Sequence, residues 1–378
     1  VIETQKFFRI TDIPSAVFDV PVSATVENLN ALVNKTIYSA NVSWSDKRFE
    51  FLIGETFVRS SLAEFIEEYS VETETVLKIE CVLGKETPKP LHDIPAPDWI
   101  SSIFSLFATT YSGEVIIIDN DGKQVLENQR DKGKPRKLEG HQIVSGGENQ
   151  VLTLYKVESS AMIPKTVFRG HERSVECVDV NKECSRLVSG GFDSMIKVWN
   201  LEKAVQKLPE CETKMSRPGH KDAVVGLRWC SWNSSQVISA SWDHCIALWD
   251  LQLAGEVSRI RGSKSFTSID VNTKSGLVIS SGTDAVPRLY DCRNGSLVKQ
   301  SFIGHTGWVS CVKWSPREEV CFVSASFDKS MKMWDIRSSK TSLFDLHGHE
   351  DRILCCSWGD GVIASGSADS TIKVFSTP

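Results

Sequence analysis

The dipeptide Gly-His, followed about 29 residues later by an aromatic residue and often Asp, recurs down the last two thirds of the chain. Gly170-His171 leads to Trp199-Asn200, Gly219-His220 to Trp249-Asp250, Gly304-His305 to Trp334-Asp335, and Gly348-His349 to Phe375. A unit repeated at that period is one supersecondary element that cannot bury its apolar face alone, so copies must stack on one another.

The interior of the unit repeats as well. A Ser stands four residues before an Asp in a turn at Ser189 and Asp193, Ser239 and Asp243, Ser280 and Asp284, Ser324 and Asp328, and Ser365 and Asp369. Spacing and end residues together are similar to those of WD40 repeats, each the sequence of one four-stranded propeller blade. In such blades the His, Ser, Asp and Trp form a hydrogen-bonded chain. The staple set here is His171, Ser189, Asp193 and Trp199; His220, Ser239, Asp243 and Trp249; His305, Ser324, Asp328 and Trp334; and His349, Ser365 and Asp369. Buried polar groups need partners, so these residues read as blade staples and not as a catalytic triad.

Seven unequal units are found. The first runs from Asp98-Trp99-Ile100-Ser101-Ser102 to Asp119, with Ser112 at the usual Asp position, so its staple is lost. In the second, His141 precedes Ser145 by 4 residues, against 18 or 19 from His171 to Ser189 and His220 to Ser239. The innermost strand then has no sequence: either the blade is malformed or a segment is omitted between Gln142 and Ile143, and omission is favoured because a missing inner strand would leave backbone groups unpaired. The fifth has Gly262-Ser263 in place of Gly-His and ends Leu289-Tyr290-Asp291. The seventh stops after its third strand at Phe375, so its fourth must come from upstream, from the stretch between Lys85 and Pro97. Four prolines there argue against a long strand.

A chain of 378 residues leaves room for one small domain beside a seven-bladed propeller of about 300 residues. A net charge of −5 argues against a surface built to coat nucleic acid, and sequence-specific nucleic-acid binding is not expected. The compact basic cluster Lys132, Lys134, Arg136 and Lys137 reads as a solvated loop. Eleven cysteines lie mostly in strand-like runs and read as small buried apolar residues in a reducing compartment. No run approaches membrane-spanning length, no metal-ligand cluster or phosphate-binding glycine loop is present, and no cofactor or resident metal is expected. The glycosylation sequons at Asn34, Asn41, Asn233 and Asn294 read as chance matches.

Residues 1–84 carry no repeat. Lys6 to Ile10 and Ala16 to Val22 predict paired strands; Val26, Leu29, Leu32, Val33 and Ile37 fall on one helical face behind a Thr25 cap; Phe49, Phe51 and Ile53 alternate as a strand. Ser61 to Ile66 predicts a short helix and Val76 to Leu83 a last strand. That order is the order of an α+β ubiquitin-like β-grasp domain. The expected organisation is this domain at 1–84, a proline-rich linker at 85–97, and a mainly β seven-bladed propeller at 98–378.

The block Arg48-Phe49-Glu50-Phe51-Leu52-Ile53-Gly54-Glu55, with Arg59-Ser60-Ser61-Leu62 and the junction Asp98-Trp99-Ile100-Ser101-Ser102, resembles the WD repeat-containing protein 12 family over nearly the whole chain. The resemblance implies a non-enzymatic nucleolar and nucleoplasmic assembly factor for the large ribosomal subunit. It also implies that the propeller joins a block-of-proliferation-type propeller protein and a pescadillo-type protein on the pre-60S particle. The head of such proteins docks on the metal-ion-dependent adhesion site of the AAA ATPase midasin, which pulls the factor off. Docking of this kind needs a carboxylate offered in trans to a magnesium ion held by the partner, an oxygen ligand for a hard cation. Glu55, Glu67, Glu68, Glu72 and Glu74 compete for that role. By position in the family's motif Glu74 matches the ligand, with Glu72 the second choice. The proline-rich linker then reads as a semi-extended spacer between handle and load.

A different class, the substrate receptor of a cullin-type ubiquitin ligase, is flagged by Trp334-Asp335-Ile336-Arg337 and the similar Tyr290-Asp291-Cys292-Arg293. The notchless family shares the head but carries eight blades. Phe192, Trp242 and Phe327, each just before its turn Asp, are candidates for the propeller's partner face or for packing within the blade.

Overall fold

A computed structural model describes residues 18–71, 76–104, 107–118, 124–127, 133–138, 142–157, 162–201, 219–293, 298–359 and 361–377. Two compact units divide the chain, the first made of the residues up to Thr87 together with Arg337–Thr341 and the second of Pro88–Ile336 with Ser342–Thr377.

In the first unit α1 (Val26–Ala40) and α2 (Leu62–Tyr69) pack with a three-stranded sheet of β1 (Phe49–Ile53), β2 (Thr56–Phe57) and β3 (Glu80–Leu83), in the order β2-β1-β3. The Thr25 side chain accepts the Asn28 amide while Asn28 reaches back to the Thr25 amide, satisfying two free donors at the start of α1. Leu29, Val33 and Ile37, spaced for one face, are buried with Phe49, Phe51 and Phe65. Asn34 is buried too. It donates to the Lys47 carbonyl at 2.8 Å and accepts from the Trp44 indole at 2.9 Å, tying α1 to the approach of β1. Two expectations change here. Phe18 to Val22 form no strand, and the residues before Phe18 lie outside the described ones. The last strand begins at Glu80 instead of Val76, because β1 offers it a ladder only from Leu52↔Glu80 to Phe49↔Leu83.

The second unit is a propeller of seven sheets. Six have four strands; blade 3 (175–200) has three among the described residues. First strands of blades 1 and 3 to 7, among them Ile100–Phe104, Val224–Trp229 and Val309–Trp314, line one central cavity of about 110 Å³. Apolar side chains fill the space between neighbouring blades, as where Leu152 and Leu154 of blade 2 meet Val175, Leu187 and Trp199 of blade 3. Close approach is enforced by small residues. A Cβ at Gly190 would lie 2.6 Å from Val224 Cγ1, and one at Gly366 would lie 2.4 Å from Ile100 Cγ2. Gly366 is thus the point where the last blade meets the first.

Three further expectations are corrected in this unit, the first only in part, since the closing strand does come from between Lys85 and Pro97 as expected. The stretch read as a spacer supplies Lys89–Pro95, a seven-residue strand pairing antiparallel with Thr371–Ser376 to complete blade 7. Prolines are tolerated because this strand is the sheet's outer edge, where a missing N–H costs no ladder bond on the open side. Lys373 pairs with Asp93 across the seam.

The second correction concerns the inner strand for which blade 2 seemed to lack sequence. Gln142–Gly147 is a continuous strand, and Gly133–Leu138 pairs with it as the first strand of a four-stranded sheet. Backbone groups of the second strand demand partners, and residues ahead of Gly140-His141 provide them in place of residues behind it. Third, Lys134, Arg136 and Lys137 therefore belong to a strand instead of a loop, and Lys132 lies outside the described residues.

Candidate functional site

In blades 3, 4, 6 and 7 the structure brings the repeat's polar residues together. His171 Nδ1 lies 2.7 Å from Asp193 Oδ2 and its Nε2 lies 2.7 Å from Ser189 Oγ, which accepts the Trp199 indole N–H at 2.8 Å. His220 repeats this with Asp243 at 2.9 Å, Ser239 at 2.7 Å and Trp249. His305 does so with Asp328, Ser324 and Trp334, and His349 with Asp369 and Ser365, where Phe375 has no N–H to add. Because Trp only donates and Asp only accepts, the chain has one direction: Trp to Ser to His to Asp.

The same carboxylate ties down two stretches of backbone. Its Oδ2 accepts the amide of the residue after the His, at Glu172, Lys221, Thr306 and Glu350. Its Oδ1 accepts the amide two residues on, at Met195, Cys245, Ser330 and Thr371. The intervening residue is held left-handed, with φ of 62° at Ser194, 67° at His244, 68° at Lys329 and 61° at Ser370. Burial works to raise the Asp193, Asp243 and Asp369 carboxyls, but the His and amide donors, joined at Asp369 by the Thr371 hydroxyl, outweigh it and hold all three low, Asp369 at about 2. Burial drives His220 and His349 the other way from their Asp partners and wins, favouring the neutral ring. A Ser-His-Asp order of this kind resembles hydrolytic machinery, yet Ser189, Ser239, Ser324 and Ser365 are all 0% exposed. No substrate carbonyl can reach those oxygens.

Blades 1 and 5 depart from this geometry. In blade 1 a hydroxyl relay stands in, Ser101 with Thr109 at 2.9 Å and Thr110 with Ser112 at 2.8 Å. In blade 5 Asp284 Oδ2 pairs with Arg288 Nη2 at 2.7 Å, and the Ser280 hydroxyl meets that of Tyr290.

A second arrangement had gone unread in the sequence. The next-to-last residue of the inner strand is Asp179, Arg228, Asp270 and Lys313 in blades 3 to 6, alternating in sign. Asp179 Oδ2 accepts the Trp229 amide of the next blade at 2.8 Å, and Asp270 Oδ2 accepts that of Trp314 at 2.9 Å. Arg228 Nε bonds Asp270 Oδ1 at 2.7 Å, with Lys313 Nζ at 3.7 Å. Burial would raise the Asp270 carboxyl, but Lys313 and Arg228 hold it below the ordinary range. Aligning the repeats column by column would have exposed this alternation.

Among the surface candidates, Phe192 packs edge-on against Trp242 with centroids 5.1 Å apart, joining two blades, and Phe327 stacks on Trp308 at 5.7 Å. Trp242 and Trp308 remain 39% and 52% exposed. Of the ligase-type endings, Asp335 is buried and Asp291 is held by Arg293 at 2.9 Å. In the head, Glu67 and Glu68 are exposed on α2, and Glu50 is buried between Arg48 and Arg59. Glu72 and Glu74 lie outside the described residues, between α2 and β3.

Comparison with known proteins places two family models on the chain. The NLE (NUC135) domain matches residues 4–66, and the WD domain, G-beta repeat, matches 162–200, 211–250, 296–335 and 340–376. The four repeat matches contain the four stapled sets. The chain is similar to the ribosome biogenesis protein WDR12 homolog of Caenorhabditis briggsae, 52% identical with 97% of this chain and 93% of that protein covered. It is 43% identical to the homolog of Brugia malayi over 96% and 92%, and 30% to that of Ixodes scapularis over 98% and 97%. The alignment with the Caenorhabditis protein spans 414 positions, more than the 378 residues of this chain, so that relative holds residues at positions where this chain has none.

Proposed function

Because the chain belongs to the family of ribosome biogenesis protein WDR12 homologs, we propose that it is a non-enzymatic assembly factor of the large ribosomal subunit, working in the nucleolus and nucleoplasm. One observation carries this reading: the likeness runs through head and propeller alike, covering 97% of this chain and 93% of the relative. On this reading the propeller is the gripping part, binding a block-of-proliferation-type propeller protein and, with a pescadillo-type protein, the pre-60S particle. The head is the handle. Glu74, or else Glu72, completes the magnesium shell of midasin's adhesion site, the ion being the partner's and the carboxylate this chain's.

The staples fit that division of labour. A grip that must survive pulling needs blades that do not open, and among the described residues four of the seven carry a buried chain of charge-assisted hydrogen bonds. The closing strand adds a load path. Lys89–Pro95 begins two residues after Thr87, so the chain leaving the head at Thr87 runs directly into the strand that seals blade 7.

Affinity purification of the tagged full chain from cells tests the reading. Recovery of large-subunit precursor RNA with midasin and the two partners supports it; recovery of a cullin adaptor without precursors overturns it in favour of a ligase receptor.

A further inference from the structure

Two thiols meet across the boundary between blades 6 and 7. Cys311 is the third residue of the inner strand Val309–Trp314, and Cys356 is the fourth residue of the inner strand Ile353–Trp358. Both line the central cavity of about 110 Å³, which admits molecules the size of water. Cys311 is partly exposed, whereas Cys356 is buried. The Cys311 sulfur lies 3.6 Å from the Cys356 carbonyl oxygen, seated against the partner residue itself.

The surroundings of that sulfur are the informative feature. Hydrogen-bond donors approach it from both neighbouring blades: the Ser268 hydroxyl of blade 5 at 3.9 Å, and the thiol and amide of Cys356 in blade 7. Lys313, two residues further along its own strand, adds positive charge. A thiolate gains from such donors, and the thiolate is the form that attacks. The Cys356 thiol first, then Lys313, the Cys356 amide and Ser268, hold the Cys311 thiol below its ordinary value against burial. That same hydrogen bond, with burial, keeps the proton on Cys356. The pair is thereby divided into a nucleophile and a second thiol within its reach.

We propose that Cys311 is a peroxide-reactive cysteine and Cys356 its resolving partner, the two joining blades 6 and 7 by a reversible disulfide. The Cys311 thiolate attacks one oxygen of hydrogen peroxide. The S–O bond of a sulfenic acid forms as the O–O bond breaks, and the departing hydroxide takes up a proton to leave as water. With the charge on Cys311 gone, Cys356 releases its proton and its sulfur attacks the sulfenic sulfur. The S–S bond forms, the S–O bond breaks, and the hydroxyl leaves with that proton as a second water. Two thiols have then given two electrons to one peroxide, and a thiol reductant reverses the bond by exchange.

Mass mapping of the folded, reduced full chain after brief treatment with hydrogen peroxide tests this, with free thiols blocked before digestion by trypsin. Residues 300–313 and 353–373 should appear as one cross-linked species, two hydrogens lighter than their sum, that disappears on adding dithiothreitol. Cys355→Ala should leave the link in place. Cys356→Ala should remove it and leave Cys311 as a sulfenic acid captured by dimedone. Cys311→Ser, which puts at this position the residue that Ser268 supplies at the third place of the blade 5 inner strand, should remove both products on an intact fold. Iodoacetamide at neutral pH should alkylate Cys311 at least about ten-fold faster than Cys177, the third residue of the blade 3 inner strand, whose thiol donates to the Val224 carbonyl at 3.4 Å. No link in the unsubstituted chain, a link made through Cys355, or alkylation of Cys311 no faster than that of Cys177 would overturn the proposal.

Discussion

Blades 3, 4, 6 and 7 and blades 1, 2 and 5 share one architecture and solve it differently. The first group meets its buried polar demand with one repeated device, a histidine that links a fully buried serine to a turn aspartate. Each member of the second group has its own substitute: hydroxyls in blade 1, a strand taken from upstream residues in blade 2, an Arg288–Asp284 pair in blade 5. The difference teaches that the repeat encodes rigidity.

The comparison can be broken most forcefully at the charges that cross blade boundaries. Asp270→Ala should destabilise by about 3–5 kcal/mol, because it strands the buried Arg228 and leaves the Trp314 amide unpaired. Urea unfolding monitored by tryptophan fluorescence reads the loss directly. Next, His305→Ala should cost about 2–3 kcal/mol by orphaning Asp328 and Ser324, whereas Ser263→Ala, at the same repeat position in blade 5, should stay within about 0.5 kcal/mol. Equal effects at the two positions would erase the distinction between the groups.

Acid separates the groups by a smaller margin. The folded Asp369 carboxyl lies at about 2, against about 3.9 when unfolded, so its contribution is complete above the unfolded value and is lost as pH falls through the folded one. His220 and His349, held below their ordinary pKa chiefly by burial, are protonated first in the unfolded chain, so their contribution begins to fall below about pH 6.5. Blade 5 holds no histidine. Hydrogen exchange compared between pH 7 and pH 5.5 should therefore show blades 4 and 7 losing protection relative to blade 5, and a uniform loss would contradict this. The smallest effect is expected on the surface. Arg352 lies 5.1 Å over the Trp99 ring and 5.5 Å over Phe327, and Arg352→Ala should cost about 0.5–1 kcal/mol in thermal or urea unfolding.

Much of this was legible in the sequence because a repeat multiplies its own signal. His, Ser, Asp and Trp at fixed spacing recur enough to announce both the blade and its hydrogen bonds. The source of the closing strand, between Lys85 and Pro97, was legible from the unfilled fourth place of the last unit; its seven-residue length was not, because proline counts against a strand everywhere except at an outer edge, and edge position is a property of the ring, not of the segment. Gly133–Leu138 was not legible as the first strand because Gly-His precedes that strand in units 3, 4, 6 and 7, whereas here the strand stands ahead of His141. The alternation of Asp179, Arg228, Asp270 and Lys313 was present but invisible to a reading organised around staples.

The proposed division of labour makes the propeller's repeated polar chemistry structural and gives docking to a head glutamate. Binding of the full chain to the midasin adhesion-site domain in magnesium, measured side by side for Glu74→Ala and His305→Ala, tests it most directly. Glu74→Ala should abolish binding and leave the melting temperature unchanged, while His305→Ala should lower the melting temperature and leave binding intact. Undiminished binding by Glu74→Ala, or its loss in a still-folded His305→Ala, would contradict the account.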